Sequence, residues 1–166
     1  MDVHIAGRVR HSSVDGPGVR YVLFFQGCIH HCPFCQNPET WDPSAGIRSD
    51  TAQIIAEILE TRYLDGVTLS GGDPLLQAGA ALEITQAAEQ KGLPVWIYTG
   101  WTYEELLAGQ AGETAIKVLG AATALVDGRF IMDLKDESLP YRGSSNQRII
   151  DLKQTRAAGH VIEIKR

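Results

Sequence analysis

Four times along this chain a short β-branched or aromatic run ends at a glycine-containing turn, and that repetition restricts the fold more than any other feature. The runs are Val19–Phe25 before Gly27, Val67–Leu69 before Ser70-Gly71-Gly72-Asp73-Pro74, Val95–Tyr98 before Thr99-Gly100, and Ala124–Val126 before Asp127-Gly128. Helical patterns separate them. Ser49 or Asp50 can cap a helix that carries Ile54, Ile55, Ile58 and Leu59 on one face and runs to about Tyr63. Leu75–Gln90 is rich in Ala and Leu, and Thr102 with Glu105 forms a capping-box pattern for a short helix through Leu107. Arg148–Ala157 reads as helical and Val161–Ile164 as a final strand. Alternation of this kind favours a parallel sheet. A closed eight-unit barrel needs about 200 to 250 residues. A chain of 166 residues therefore predicts a partial, open (β/α) barrel of five to six units, with an open doubly wound sheet as the runner-up.

The chain reads as one globular domain over residues 1–166, with 44% hydrophobic residues to build a core. A net charge of −5 argues against nucleic acid as the main partner, because phosphate backbones are gripped by clustered Lys and Arg. The first residues lack the apolar run of a signal peptide, and no stretch approaches the roughly 18 apolar residues of a membrane span. The expectation is a cytoplasmic protein. Residues 128–147 carry polar, Gly and Pro residues without periodicity and read as an ordered functional loop or a mobile one.

All three cysteines, Cys28, Cys32 and Cys35, lie in the loop 26–37 directly after the first strand. In a reducing compartment such a cluster points to metal or redox chemistry rather than to disulfides, and an odd count cannot pair internally. A closed structural zinc site or a four-cysteine iron–sulfur cluster would need a fourth ligand. One solution is a 4Fe-4S cluster whose fourth iron is left open for a small molecule. The other is a zinc-stabilised interaction domain completed by His30 or His31. Each histidine adjoins a cysteine, too tight for comfortable tetrahedral closure, and both read better as spacers.

The spacing Cys28-x-x-x-Cys32-x-x-Cys35 resembles the signature of the radical S-adenosylmethionine (SAM) superfamily. Val14-Asp15-Gly16-Pro17-Gly18-Val19-Arg20 and Asn37-Pro38-Glu39-Thr40-Trp41 narrow the resemblance to activating enzymes of glycyl-radical enzymes. Leu69–Leu75, Tyr98-Thr99-Gly100-Trp101, Leu125–Phe130 and above all Arg142-Gly143-Ser144-Ser145-Asn146-Gln147 are similar to the family that activates anaerobic ribonucleotide reductase. An activase of pyruvate formate-lyase or of another glycyl-radical enzyme is the alternative.

The resemblance implies a radical SAM type of barrel. A reduced cluster held by Cys28, Cys32 and Cys35 would cleave SAM to methionine and a 5′-deoxyadenosyl radical, which takes hydrogen from a glycine of the reductase large subunit. It implies that Phe34 lies beside adenine and that Ser70, Gly71, Gly72 and Asp73 form the turn meeting the methionine amine. Asp73 followed by Pro74 is also good local capping chemistry. By the same resemblance Asp127 and Arg129 contact SAM, although an acid before glycine is equally an ordinary turn. Asp15, with Thr99 and the Leu125 carbonyl, is expected to hold a monovalent cation. With no cysteines left for a further cluster, the electron would come from an external donor such as flavodoxin.

Overall fold

The computed structural model describes residues 1–165. Its seven strands are β1 (Asp2–Ser12), β2 (Arg20–Phe25), β3 (Ile47–Asp50), β4 (Gly66–Gly71), β5 (Val95–Tyr98), β6 (Ala124–Asp127) and β7 (Arg148–Asp151). The helices are α1 (Thr51–Glu60), α2 (Ala78–Gln90), α3 (Tyr103–Leu107), α4 (Glu113–Ala121) and α5 (Leu152–Ala158). The strands form one open sheet in the order β3-β1-β2-β4-β5-β6-β7. Its central four, β2, β4, β5 and β6, are mutually parallel, and antiparallel strands flank them on both sides. The fold is thus the expected open α/β arrangement with a mostly parallel central sheet. Among the described residues no helix is long and apolar enough to cross a membrane.

Alternating residues of the central strands serve two different faces. Tyr21, Leu23, Phe25, Leu69, Ile97 and Leu125 join Ile54, Ile58, Ala81, Ile84, Ala88 and Val118 in the main core beneath α1, α2 and α4. On the opposite face Trp96, Ala124, Val126 and Ile149 form a smaller cluster with Tyr98, Tyr141 and Ile164. That face also buries a cation. Arg20 is 1% exposed and donates from Nε to Thr68 Oγ1 (2.8 Å), from Nη1 to the Pro17 carbonyl (3.1 Å), and from Nη2 to the carbonyls of Val67 (2.9 Å) and Pro94 (2.7 Å). Its guanidinium carbon lies 5.7 Å from the Trp96 ring centroid. Burial lowers its pKa to about 10.

The helix starts follow the capping residues. Asp50 accepts from Ala52 N (2.7 Å) at α1, and Thr102 with Glu105 makes the capping box of α3. Two expectations near the carboxyl end are corrected. Arg148–Asp151 is a strand rather than the first turn of a helix, because Ile149 and Ile150 are fully buried and Arg148 pairs with Asp127 across the antiparallel register. Asp151 then caps α5 by accepting from Gln154 N (2.9 Å). Val161–Ile164 contributes only an isolated bridge, Ile150 to Glu163.

Candidate functional site

Because β2, β4, β5 and β6 are parallel neighbours, their carboxyl ends bring four loops to one edge of the sheet. The cysteine loop follows β2. Its base is fastened by backbone bonds from Gly27 N to the Thr40 carbonyl (2.6 Å) and from Cys28 N to the Trp41 carbonyl (3.1 Å). The Gln26 side chain adds bonds to the carbonyls of Glu39 (2.8 Å) and Asp42 (2.9 Å). Cys28, Cys32 and Cys35 are half-buried, and all three line one cavity of about 230 Å³. Burial pushes the Cys28 thiol up, partly offset by the His30 backbone N–H. Among the described residues no group of three or more His, Cys, Asp or Glu side chains is placed to hold one metal ion.

The turn after β4 sits on the base of that loop at backbone contact. Gly71 has φ +97°, and a Cβ there would lie 2.4 Å from Phe25 N; a Cβ on Gly72 would lie 2.3 Å from the Gly27 carbonyl oxygen. Gly72 N donates to the Phe25 carbonyl and Asp73 N to that of Gly27, both at 2.8 Å. The Asp73 carboxylate is completely buried. It accepts from Leu75 N (3.0 Å), Thr99 Oγ1 (2.8 Å), Gly100 N (3.0 Å) and His30 Nε2 (2.7 Å). Ser70, Gly71, Gly72 and Thr99 line the cavity with the thiols, whereas Asp73 is turned into the fold and is not on its wall.

Arg129 is the cation on the wall. It pairs with Glu105 at 3.1 Å and lies over the Trp101 ring. Asp127, by contrast, is 1% exposed and faces away, accepting from Arg148 Nη2 (2.6 Å), Arg148 Nε (3.1 Å) and Tyr103 N (2.8 Å). Asp127 and Glu104 together raise the Arg148 pKa far above its ordinary range. Phe34 has φ +63°, is 74% exposed and stands off the wall. Asp15 accepts from Ser12 Oγ (2.5 Å) and lines an adjoining cavity with Tyr98, Lys135 and Tyr141; Thr99 is not on that wall.

Three contributions escaped sequence reasoning. His30 is not a spacer but is buried against Asp73 and packs edge-on to Trp101, centroids 4.8 Å apart. Arg148 belongs to a two-acid clamp. The segment Arg142–Gln147 is an internal lock: Asn146 Nδ2 donates to the Arg129 carbonyl (2.8 Å), Gln147 Nε2 to the Gly128 carbonyl (2.9 Å), and Gln147 Oε1 receives Gly143 N (2.9 Å). These bonds set Phe130, Tyr141, Gly143 and Gln147 on the cavity wall. The density of amide side chains in a segment without periodicity was the available signal.

A family model described as a 4Fe-4S single cluster domain matches residues 14–150. The anaerobic ribonucleoside-triphosphate reductase-activating protein of Escherichia coli K12 is 41% identical over 148 residues, covering 84% of this chain and 93% of that protein. The chain belongs to the anaerobic ribonucleoside-triphosphate reductase-activating protein family. The members from Vibrio cholerae (39% identical, 82% of this chain and 90% of that protein) and from bacteriophage T4 (33%, 82% and 86%) extend the likeness. The crystal structure of QueE from Escherichia coli aligns with TM-score 0.49 and 19% identity over 61% of this chain and 54% of that one, which adds nothing to the assignment. In this reductase-activator chain the matched span takes in the bend at Asp15, all three thiols, the Gly71-Gly72 turn and the Arg142–Gln147 lock.

Proposed function

We propose that this chain is a radical SAM activating enzyme that installs the glycyl radical of anaerobic ribonucleotide reductase. The observation that carries the reading is the shared wall: three thiols, a side-chain-free glycine turn, the Thr99 hydroxyl and one guanidinium around a single cavity at the carboxyl ends of parallel strands. The donor set fits a cubane cluster. Three thiolates are offered by a chain with no fourth cysteine, and Trp41 Nε1, on the same wall, is buried without a hydrogen-bond partner and suits a sulfur acceptor.

When bound, such a cluster supplies the electron that cleaves SAM into methionine and a 5′-deoxyadenosyl radical, which abstracts hydrogen from a glycine of the reductase large subunit. The protein's own part is placement. Cys28, Cys32 and Cys35 would hold the cluster, giving up their thiol protons as they do so. Gly71 and Gly72 let the turn pack at backbone contact on Phe25 and Gly27, which would set its backbone on the cavity wall toward the methionine end, and Arg129 offers its charge to a carboxylate. Phe130, Tyr141 and Gln147 wall the cavity against water, which a radical intermediate requires. The described residues would serve as one radical SAM domain, working in the cytoplasm with an external donor of the flavodoxin kind.

The test is anaerobic. Protein reconstituted with iron and sulfide is expected to be brown with about four irons per chain, as a 4Fe-4S centre requires. With SAM, a reductant and the anaerobic reductase it is expected to give a glycyl-radical doublet by electron paramagnetic resonance. Colourless protein with one zinc, or a doublet on pyruvate formate-lyase but never on the reductase, would overturn the proposal.

A further inference from the structure

One side chain in the cysteine loop reaches across to the glycine turn. His30 lies midway between Cys28 and Cys32, where a loop residue would ordinarily face solvent, as its neighbour Ile29 does at 60% exposure. Instead its side chain is 3% exposed, with Nε2 2.7 Å from Asp73 Oδ2 and its ring edge-on to Trp101. Space for the ring exists because residue 100 is glycine: a Cβ there would come within 2.4 Å of His30 Cδ2.

Asp73 receives four donors from three loops. Leu75 N and its own turn fix the local cap, Thr99 Oγ1 and Gly100 N bind it to the end of β5, and His30 brings in the cysteine loop. The turn and the cysteine loop already touch at the loop's base, through Asp73 N and the Gly27 carbonyl. Those bonds hold the loop's base; His30 adds an attachment farther along it, between Cys28 and Cys32.

We infer that His30 is a positioning residue that, through Asp73, locks the cysteine loop to the glycine turn and so fixes where the cluster stands relative to the methionine end of SAM. The lock rests on the radical SAM reading above, in which the two loops hold the two reacting partners. Reaction geometry is unforgiving, with misplacement of about 1 Å costing on the order of a hundredfold in rate. Asp73 acts here from behind the wall, keeping the turn in place.

The test uses full-length protein, reconstituted anaerobically, as wild type, His30→Ala and His30→Gln. Glutamine can set an amide nitrogen near the position of Nε2 and donate to Asp73, but it cannot pack as a ring. Iron per chain, thermal midpoint, the SAM-induced change in the spectrum of the reduced cluster, and the half-saturating SAM concentration and maximal rate of SAM cleavage are measured for each. His30→Ala is expected to load iron like the wild type, yet to raise the half-saturating SAM concentration about tenfold, within the ceiling of about 10- to 150-fold that loss of one hydrogen bond to an ionised group sets. Its SAM-induced spectral change should be blunted, and His30→Gln should recover most of both. Unchanged SAM dependence in His30→Ala overturns the inference. So does equal impairment of the two variants, which would reduce His30 to ring packing. Wild-type protein that binds its cluster but shows no response to SAM overturns the radical SAM reading as well.

Discussion

The contact between Gly100 and His30 allows a steric prediction with a worked magnitude. Gly100 does not have a positive φ, so alanine is not excluded by backbone conformation; its cost is set by the neighbours. The added Cβ would lie 2.4, 2.7 and 2.8 Å from His30 Cδ2, Cγ and Nε2, more than 0.5 Å inside ordinary carbon contact of about 3.5 Å. The ring has nowhere to go while it stays bonded to Asp73 and packed on Trp101. Either the overlap is borne, at about 1–3 kcal/mol, or the ring leaves and Asp73 loses a donor, at about 1.5–3 kcal/mol. Stiffening the unfolded chain returns about 0.4–1 kcal/mol. The net expectation for Gly100→Ala is a loss of about 0.5–2.5 kcal/mol, or about 2–10 °C in midpoint for a chain of this size. Urea and thermal unfolding of reduced, cluster-free protein measure it. The decisive step is the double-mutant cycle: in a His30→Ala background Gly100→Ala should be neutral or slightly stabilising. The same penalty in both backgrounds, or none in wild type, would refute the steric reasoning.

Other outcomes follow from groups described above. Arg148→Met should cost about 2–4 kcal/mol in urea unfolding, since it strands the buried Asp127 with Tyr103 N as its remaining donor. Arg148 also holds the Glu104 carboxyl below its usual 4.5; that part of the stabilisation is complete above this value and fades as pH falls through the lowered one, so the gap between variant and wild type should narrow in acid. Arg20→Lys should lose about 2–4 kcal/mol, because an ammonium cannot serve Thr68, Pro17, Val67 and Pro94 with a planar fork. Burial sets the Arg20 pKa at about 10, below its ordinary value, so the cost of burying its charge persists through neutral pH and is relieved only as pH rises past that point. Phe34→Gly removes a left-handed residue whose ring is mostly exposed, and relief of about 1–2 kcal/mol should at least match the entropy glycine adds, about 0.5–1 kcal/mol. A clear loss of stability in that variant would mean the ring packs in solution.

The parallel strands were legible because burial on both faces leaves continuous apolar runs such as Val95–Tyr98, bounded by glycine. β1 was not: over eleven residues only Val3, Ile5 and Ser12 are buried, so a long edge-side strand carries almost no periodic signal. β7 was misread for the opposite reason, since its four residues run directly into α5 without a glycine between them. At the site, the thiols and the glycine turn could be recognised because their chemistry depends on residue type and local spacing. The orientations of Asp73 and Asp127 could not. Each carboxylate is claimed by donors distant in sequence, His30 and Thr99 for one and Arg148 for the other, and only tertiary structure decides which partner wins.

Along β4, β5 and β6 the two faces of the sheet interleave residue by residue: Leu69 with Ser70, Ile97 with Tyr98, Leu125 with Val126. The first of each pair belongs to the core under the helices and the second to the cavity wall. Durability and chemistry are therefore written into the same few residues at opposite parity. A lineage can vary one set while leaving the other untouched, but a single-residue insertion in any of these strands exchanges the two sets and forfeits both at once.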